Sequence, residues 1–470
     1  MLTYDLKKAP GVPLYEALYR CIREDILQGS LVPGQKLPSK RSLAQNLEIS
    51  VITVEAAYNQ LLSEGYLRSV EKVGYFVETV ERRCVLPLPP APQPPVPWKL
   101  DLTGSGSQQF PFSVWVRLQR EVMLDYGQQL LQPLPNRGLP ELRQAIAQHL
   151  SGFRGMDVDP ENILVGAGTD FLYNLLIQLL GRELVYAVEE PGYGKIRKIY
   201  AAAGATCRSA PMDGQGVCPR QLEDAQVLHL SPSHHFPTGL VTPVRRRLEL
   251  LAWAGEDKWI IEDDYDSEFR FDAHPIPAMQ TLDRQGRVIY MNTFSRSLAP
   301  SIRISYLVLP GPLMERFQRQ LGFYSCTVPS FEQYTLARFL SRGHFEKHIN
   351  RMRKFYKNQR NALFTALRSW DTGGRLTLVE QDAGVHFLLG LDTRLSDLEL
   401  VEQLARQGIR IHALRDFYHD QPQDRHCLVV NYATMTAEQI PLLLAALDAL
   451  LSGKSGFPLA FSKKDSYNLS

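Results

Sequence analysis

Near the start of the chain, apolar positions recur at three- and four-residue steps: Leu14, Leu18, Cys21 or Ile22, and Ile26, with Gly29 ending the run. That spacing predicts a helix with one buried face. After the turn LVPGQKLPS come two shorter helical patterns, SKRSLAQNLE from Ser39 and SVITVEAAYNQLLSEG from Ser50 to Gly65. Ser39 and Ser50 are natural N-caps, because a serine hydroxyl accepts from the free amides of a first turn. YLRSVEKVGYFVE then predicts two short strands around a Glu-Lys-Val-Gly turn. Three helices followed by a β-hairpin is the order of a winged helix-turn-helix.

Beyond residue 100 the pattern changes. Apolar runs of strand length (ILVGAG, ELVYAVEE, VLHLSPSH, WIIEDDYD, VIYMNTF and ISYLVLP) alternate with helical stretches such as DFLYNLLIQLL and RRRLELLAWAG. This alternation predicts an α/β domain with a largely parallel sheet. From about residue 330 the chain is helix-rich, with an α+β tail ending near Leu451. Between the two regions lies ERRCVLPLPPAPQPPVPWKL, residues 81–100, with seven prolines. Such a run makes neither helix nor central strand and reads as a semi-rigid polyproline II spacer. The expected organisation is a head (1–80), a Pro-rich linker (81–100) and a body (101–460).

A length of 470 residues exceeds what one hydrophobic core sustains, in keeping with two domains. The net charge of +2 favours neither nucleic acid nor acidic partners. In residues 1–80, nine Lys/Arg balance nine Asp/Glu, so DNA affinity there would depend on local placement of charge. No two of the six cysteines sit at CxxC spacing, and neither a metal site nor a disulfide framework is expected. The N-terminus lacks the apolar run of a signal peptide, and no stretch approaches a membrane span. The expected location is the cytoplasm.

In a helix-turn-helix the second motif helix enters the major groove with its first residues near base edges. Here that places Ser50, Ile52 and Thr53 on the groove side. Ser39, Lys40 and Arg41 open the preceding helix toward phosphates, and Lys72 on the wing is placed to do the same. On spacing alone, a small helical bundle without DNA is an equal reading.

The stretch NTFSRSLAPSIRISYLVLP, residues 292–310, reads as a strand ending in a Ser-rich turn, a short helix and another strand. That layout suits a loop gripping a phosphate and presenting one side chain. The side chain is Arg296, whose guanidinium stays protonated and is no nucleophile in water. Other strand ends carry matching parts: Gly168 and Thr169 opening a helix, Tyr193 after EEPG, the turn SPSHHFPTG (231–239), Asp263 and Tyr265 in IIEDDYDSEF, and Ser295 and Arg303 beside Arg296. α/β sheets bind ligands at the C-terminal ends of parallel strands. An acid for a pyridine nitrogen, an aromatic to stack, a phenol, and phosphate-binding hydroxyls and arginine are the parts of a pyridoxal phosphate site of aminotransferase type. Singly, Asp263 is as well a turn residue and Tyr193 a core aromatic; their joint order points to a pocket.

LPSKRSLAQNLEISVITVEAAYNQLLSEGYL, followed by GYFV, resembles the GntR-family winged helix throughout, departing at Val51, where many members carry arginine. LPNRGLPELRQAIAQHLSGFRG, EEPGY, SHHFPTG, EDDYDSEFR and TFSRSLAPSIRISYLVLP resemble the fold type I aminotransferase domain, and within it the MocR (GabR-like) regulators. Together the likeness covers nearly the whole chain. It implies an N-terminal winged helix joined to an α/β aminotransferase-like domain, a homodimer with domain swapping as one arrangement, and operator DNA and a small effector as partners. It also implies that Asp263 faces the pyridine nitrogen, Tyr265 the ring oxygen and Tyr193 the ring face. Gly168, Thr169, Ser295 and Arg303 would hold the phosphate.

The family's loop reads TFSK, its lysine forming the Schiff base; this chain reads TFSR, and Arg296 cannot do so. Where aminotransferase-like members have a carboxylate-binding arginine in a LRLGF-like strand, this chain has LVVNY, with Val429 at that place. Three consequences stay open: noncovalent pyridoxal phosphate, a different anionic ligand, or a pocket filled by Arg296 in a structural dimerisation domain. The expected function is a DNA-binding transcriptional regulator sensing pyridoxal phosphate or another small anion, with no catalytic residue and no transamination. The alternative is a pyridoxal phosphate enzyme with an accessory head, against which Arg296 speaks.

Overall fold

The computed structural model describes residues 2–4, 6, 13–79, 98–104, 109–222, 224–271, 276–379, 383–420 and 422–451. Residues 81–97 of the expected linker, Cys84 among them, and residues 452–460 of the expected body lie outside the described residues. The chain forms two compact units, 1–96 and 97–470.

The head contains α1 (Leu14–Gln28), α2 (Lys40–Asn46), α3 (Val51–Ser63) and a hairpin of β1 (Leu67–Val70) and β2 (Gly74–Val77). α1 stops where Gly29 adopts the left-handed conformation at φ 82°, which glycine enters at no steric cost. Ser39 Oγ accepts from the Ser42 amide, and Ser50 Oγ from the Thr53 amide. Both serines therefore cap their helices as expected. Leu18, Ile22, Val54, Ala57, Tyr58 and Leu61 bury the apolar faces of α1 and α3 against each other and the hairpin.

The body opens with β3 (Leu100–Asp101), α4 (Phe112–Tyr126) and α5 (Pro140–Arg154). Next come β4 (Ile163–Gly166), α6 (Thr169–Leu180), β5 (Val185–Glu190), α7 (Gly194–Ala202), β6 (Thr206–Asp213), β7 (Gly216–Val217), β8 (Val227–Leu230), α8 (Val244–Ala254), β9 (Trp259–Asp263), β10 (Val288–Thr293), the single-turn α9 (Phe294–Ser297), β11 (Ser305–Val308) and α10 (Gly311–Leu321). The eight strands from β4 to β11 form one sheet in the order β4-β11-β10-β9-β8-β5-β6-β7. β10, β9, β8, β5 and β6 run parallel. β11 runs antiparallel to both its neighbours, so ISYLVLP enters the sheet from the edge at which the parallel strands end. The loop bearing Arg296 and Arg303 leaves the C-terminal end of β10, a parallel strand, and what departs from the largely parallel reading is the strand it leads into, β11. β6 was not expected; its TCRSAPMD mixes exposed polar and half-buried positions, as a strand near a sheet margin does.

The C-terminal part holds α11 (Ser330–Ser341), the 27-residue α12 (His344–Trp370), β12 (Leu376–Val379), β13 (His386–Leu391), α13 (Asp397–Arg406), β14 (Ile409–Arg410), β15 (His412–Ala413), β16 (Cys427–Asn431) and α14 (Ile440–Leu451). A four-stranded sheet in the order β12-β13-β16-β15 shares a hydrophobic core with α4, α5, α11, α12 and α14. Cys21, Cys207, Cys218, Cys326 and Cys427 are free thiols. Among the described residues, no helix is long and apolar enough to cross a membrane.

Candidate functional site

β4 runs antiparallel to β11, and so in the same sense as β10. The C-terminal ends of β4, β5, β8, β9 and β10 therefore meet on one edge of the large sheet, where β11 begins. A cavity of about 190 Å³ opens at that edge. Thr169, Tyr193, Asp263, Tyr265, Ser295, Arg296 and Arg303 all line it. Gly168 abuts it as the residue before α6, at φ 87°. A Cβ there would fall 2.4 Å from Arg303 Nη2, so only glycine lets that guanidinium lie against the start of α6. Arg303 itself has a left-handed backbone, φ 49°. Its Nη2 donates to Asp170 Oδ2 at 3.2 Å, and Lys195 Nζ donates to the same oxygen at 2.6 Å. Two cations thus share one carboxylate beside a helix start, where anions are favoured.

Asp263 forms the floor. Its Oδ2 accepts from the Tyr173 hydroxyl at 2.7 Å and from His229 Nε2 at 3.3 Å. With Nε2 donating, His229 Nδ1 accepts from the Tyr200 hydroxyl at 2.6 Å. Burial and the Asp263 charge push the Tyr173 phenol well above its ordinary pKa, so it stays a donor. Among the described residues, Asp263 Oδ1 is buried without a hydrogen-bond partner, and so is Ser295 Oγ. A buried acceptor with no donor costs on the order of 1–3 kcal/mol, and a ligand that donates to it recovers that cost.

Arg296 projects from α9 between this cavity and a smaller one of about 20 Å³, lined also by Tyr356, His386 and Asn431. Its guanidinium carbon lies 5.8 Å from the centre of the Tyr265 ring. Among the described residues that guanidinium makes no hydrogen bond or ion pair. Burial and the neighbouring Asp266 push the Tyr265 phenol well up, opposed by Arg296. Behind it, His234 Nδ1 lies 2.8 Å from Asp266 Oδ2. With His386, they bring three ligand-type atoms within 4.8 Å of one another. His386 is held neutral by burial and by the charges of His234 and Arg296. The His234–Asp266 pair is already satisfied, and the adjacent free guanidinium opposes a metal cation there.

Several lining residues escaped the sequence reading: Asp170, Tyr173, Glu189, Lys195, His229 and Phe236. The apolar patterns around Tyr173 and His229 conceal them as ordinary core positions. Val429 lies in β16 within an apolar cluster of Leu388, Leu414 and Cys427, against which Phe236 packs. Val429 itself lines neither cavity; Phe236, which lines both, packs on its cluster.

Glu189 is buried at the end of β5, and burial raises its pKa to about 8. Its Oε2 accepts from the Ser231 amide at 2.9 Å, and its Oε1 is unpartnered. The nearby imidazole of His235 is driven down to about 3 by burial and cannot neutralise it. A carboxyl whose folded pKa lies above its unfolded value binds more protons folded than unfolded between those values. Its contribution to stability is complete below about pH 4.5 and is lost as pH rises through about 8. Glu189→Gln should therefore flatten the decline of stability between those pH values, read as urea midpoints across a pH series. An unchanged slope would show that Glu189 titrates normally.

In the head, Ser39, Lys40, Arg41, Ser50, Ile52, Thr53 and Lys72 lie on the first turns of α2 and α3 and on the hairpin turn. Lys40 Nζ is bonded to Glu55 Oε1 at 2.5 Å, an ion pair between partly exposed side chains with which a phosphate would compete. Ser50 Oγ and Thr53 Oγ1 bond each other at 2.8 Å. Lys72 takes a left-handed conformation, φ 58°, at the hairpin tip.

Comparison with known proteins agrees with this geometry. Residues 14–77 match the gntR family of bacterial regulatory proteins, and residues 101–447 match aminotransferase class I and II. The chain is 36% identical to YdeL, an HTH-type transcriptional regulator of Bacillus subtilis, over 90% of this chain and 93% of that protein. It is 33% identical to the probable rhizopine catabolism regulatory protein MocR of Rhizobium meliloti, over 89% and 90%. It is 30% identical to the pyridoxine biosynthesis transcriptional regulator PdxR of Corynebacterium glutamicum, over 92% and 94%. Among solved structures, the kynurenine aminotransferase of Pyrococcus horikoshii superposes with a TM-score of 0.66 at 24% identity, covering 75% of this chain and 90% of that one. That likeness shows the fold of the body. The chain belongs to the MocR-like subfamily of GntR-family transcriptional regulators, with a winged-helix head and a fold type I aminotransferase domain.

Proposed function

We propose that this regulator binds pyridoxal 5'-phosphate, or a small anion of the same shape, reversibly and without transamination. The observation that carries this reading is Asp263 Oδ1, a buried oxygen lacking a donor on the floor of a cavity rimmed by Arg303 and Lys195. A protonated pyridine nitrogen supplies the missing donor. Thr169, Ser295, Arg303 and the amides opening α6 suit a phosphate, Tyr193 at the mouth suits the ring face, and Tyr265 and Arg296 suit the ring oxygen. When bound, the ring supplies an electron sink, but chemistry on an amino acid also needs an amine at the place Arg296 holds. Lys195, the one lysine lining the cavity among the described residues, is tied to Asp170. Val429, where the resemblance places a carboxylate-binding arginine, offers no bidentate partner to an amino acid carboxylate. The relationship to PdxR, by its name a regulator of pyridoxine biosynthesis, supports this ligand class for the present chain.

Further parts of the reading concern partners. Phe112, Val116, Met123 and Leu124 are exposed on α4, and Leu131 just after it, an apolar surface suited to a second copy of the chain. In a homodimer with a head on each body, a ligand that favours one arrangement of the heads shifts occupancy of operator DNA. The expected setting is the cytoplasm.

Calorimetric titration tests the ligand. The protein should bind pyridoxal phosphate saturably and show no transaminase turnover with any amino donor. Asp170→Asn removes the carboxylate that competes for Arg303 and Lys195. It should tighten pyridoxal phosphate by roughly three- to tenfold, the scale of one exposed ion pair and more, while leaving pyridoxal, which lacks the phosphate, unchanged. Turnover, or no binding of any phosphorylated vitamer, would overturn the proposal.

A further inference from the structure

α3 carries no lysine or arginine anywhere from Val51 to Ser63. Its one charged residue, Glu55, is bonded to Lys40. The commonest specific contact in the major groove, a cation bridging two acceptors of guanine, is therefore unavailable to this helix. The hydroxyls at its start are engaged in capping, Ser50 Oγ accepting from the Thr53 amide and pairing with Thr53 Oγ1, which leaves the two of them a single O–H to donate outward. The large side chains that the first turn offers outward are aliphatic: Ile52 is 77% exposed and Val51 41% exposed. Neither belongs to the head's apolar core. Asn59 is the next exposed polar side chain, two turns further on.

We infer that α3 reads its operator through methyl contacts, with Ile52, supported by Val51, packed on the C5-methyl of a thymine. That methyl is the one apolar feature base pairs present in the major groove, and aliphatic side chains are its partners. Phosphate grip falls to cations off the helix: Arg41 on α2 and Lys72 on the hairpin, both exposed. The division is one of labour: flanking cations supply affinity that depends on salt, and the helix supplies selectivity that does not. This rests on the head binding DNA in the manner of its fold.

The experiment uses the full chain. High-affinity duplexes are selected from a random pool, and each thymine of the best site is replaced in turn by deoxyuridine, which removes only the methyl. At the thymine under Ile52 the replacement should weaken binding about fourfold, the worth of one buried methyl-sized group. Ile52→Ala should weaken binding to the thymine duplex by a similar factor and make the protein indifferent to the replacement. Both losses should persist across salt concentrations. Ile52 lies on the surface, so the variant should melt with the parent protein. Equal affinity for thymine and deoxyuridine duplexes, or a selected site in which guanine dominates beneath α3, would overturn the inference alone. Failure to select any specific duplex would overturn the DNA-binding reading and this inference with it.

Discussion

Arg296→Lys should convert a ligand that dialyses away into one that stays. The parent protein, incubated with pyridoxal phosphate and dialysed, should lose it completely, because a guanidinium has no accessible neutral form with which to attack a carbonyl. The lysine variant places a primary amine among groups that already suit the rest of the molecule: Asp263 Oδ1, Ser295 Oγ and the Arg303 guanidinium lie on the same cavity. Proximity of that kind turns a bimolecular condensation into an effectively unimolecular one. Retention should be near one ligand per chain, and borohydride should fix it to the peptide carrying residue 296. The parent protein is the informative control. A borohydride-fixed adduct there that maps to Lys195, the one lysine lining the cavity among the described residues, would overturn the noncovalent reading. A lysine variant that binds no more firmly than the parent would show that the pocket no longer fits the ring.

Much of this site was legible in the chain because its parts sit at ends of elements. Thr169, Tyr193, Asp263 and Ser295 each follow an apolar run closely, and in an α/β sheet such positions converge at one edge. The head was legible for a related reason: Ser39 and Ser50 announce helix starts, and Gly29 a helix end. What escaped was pairing across distance. Tyr173 reads as one more apolar position of DFLYNLLIQLL, and only the fold sets its hydroxyl on Asp263, 90 residues away in sequence. His229 likewise reads as an interior strand residue until its ring is seen between Tyr200 and Asp263. Strand sense escaped too. ISYLVLP has the continuous hydrophobicity of a strand covered on both faces, and that burial is the same whether it runs parallel or antiparallel. Charge pairing was equally hidden: the spacing does not show that Lys40 bonds Glu55, one turn into the next helix.

The largest stability effect should come from a pair that touches no ligand. Arg154, the last residue of α5, sends its side chain into the body and is 1% exposed there, as is its partner Asp264. Nε lies 3.0 Å from Asp264 Oδ2, Nη2 donates to Ser233 Oγ at 2.9 Å, and Nη1 donates to the carbonyl of Ile276. The Tyr290 hydroxyl donates to Asp264 Oδ2 at 2.6 Å. One guanidinium thus ties α5 to the turn carrying His234 and to the residue next to Asp263. Removing one member of a buried pair leaves the other charge desolvated and uncompensated, which costs about 3–5 kcal/mol. Arg154→Met should lower the urea-unfolding free energy of the body by that amount and loosen the ligand as well, since Asp263 and His234 both lose their brace. Arg154→Met combined with Asp264→Asn should recover most of the loss, because the Asp264 charge is then no longer left buried without its partner. The recovery separates an electrostatic cause from a packing one. If the double variant is as unstable as the single, the deficit lies in lost packing and the three tethers of the guanidinium. If the single variant loses less than about 1 kcal/mol, the value of an exposed pair, then water reaches Asp264 and the network does not hold the edge of the sheet on which the pocket is built.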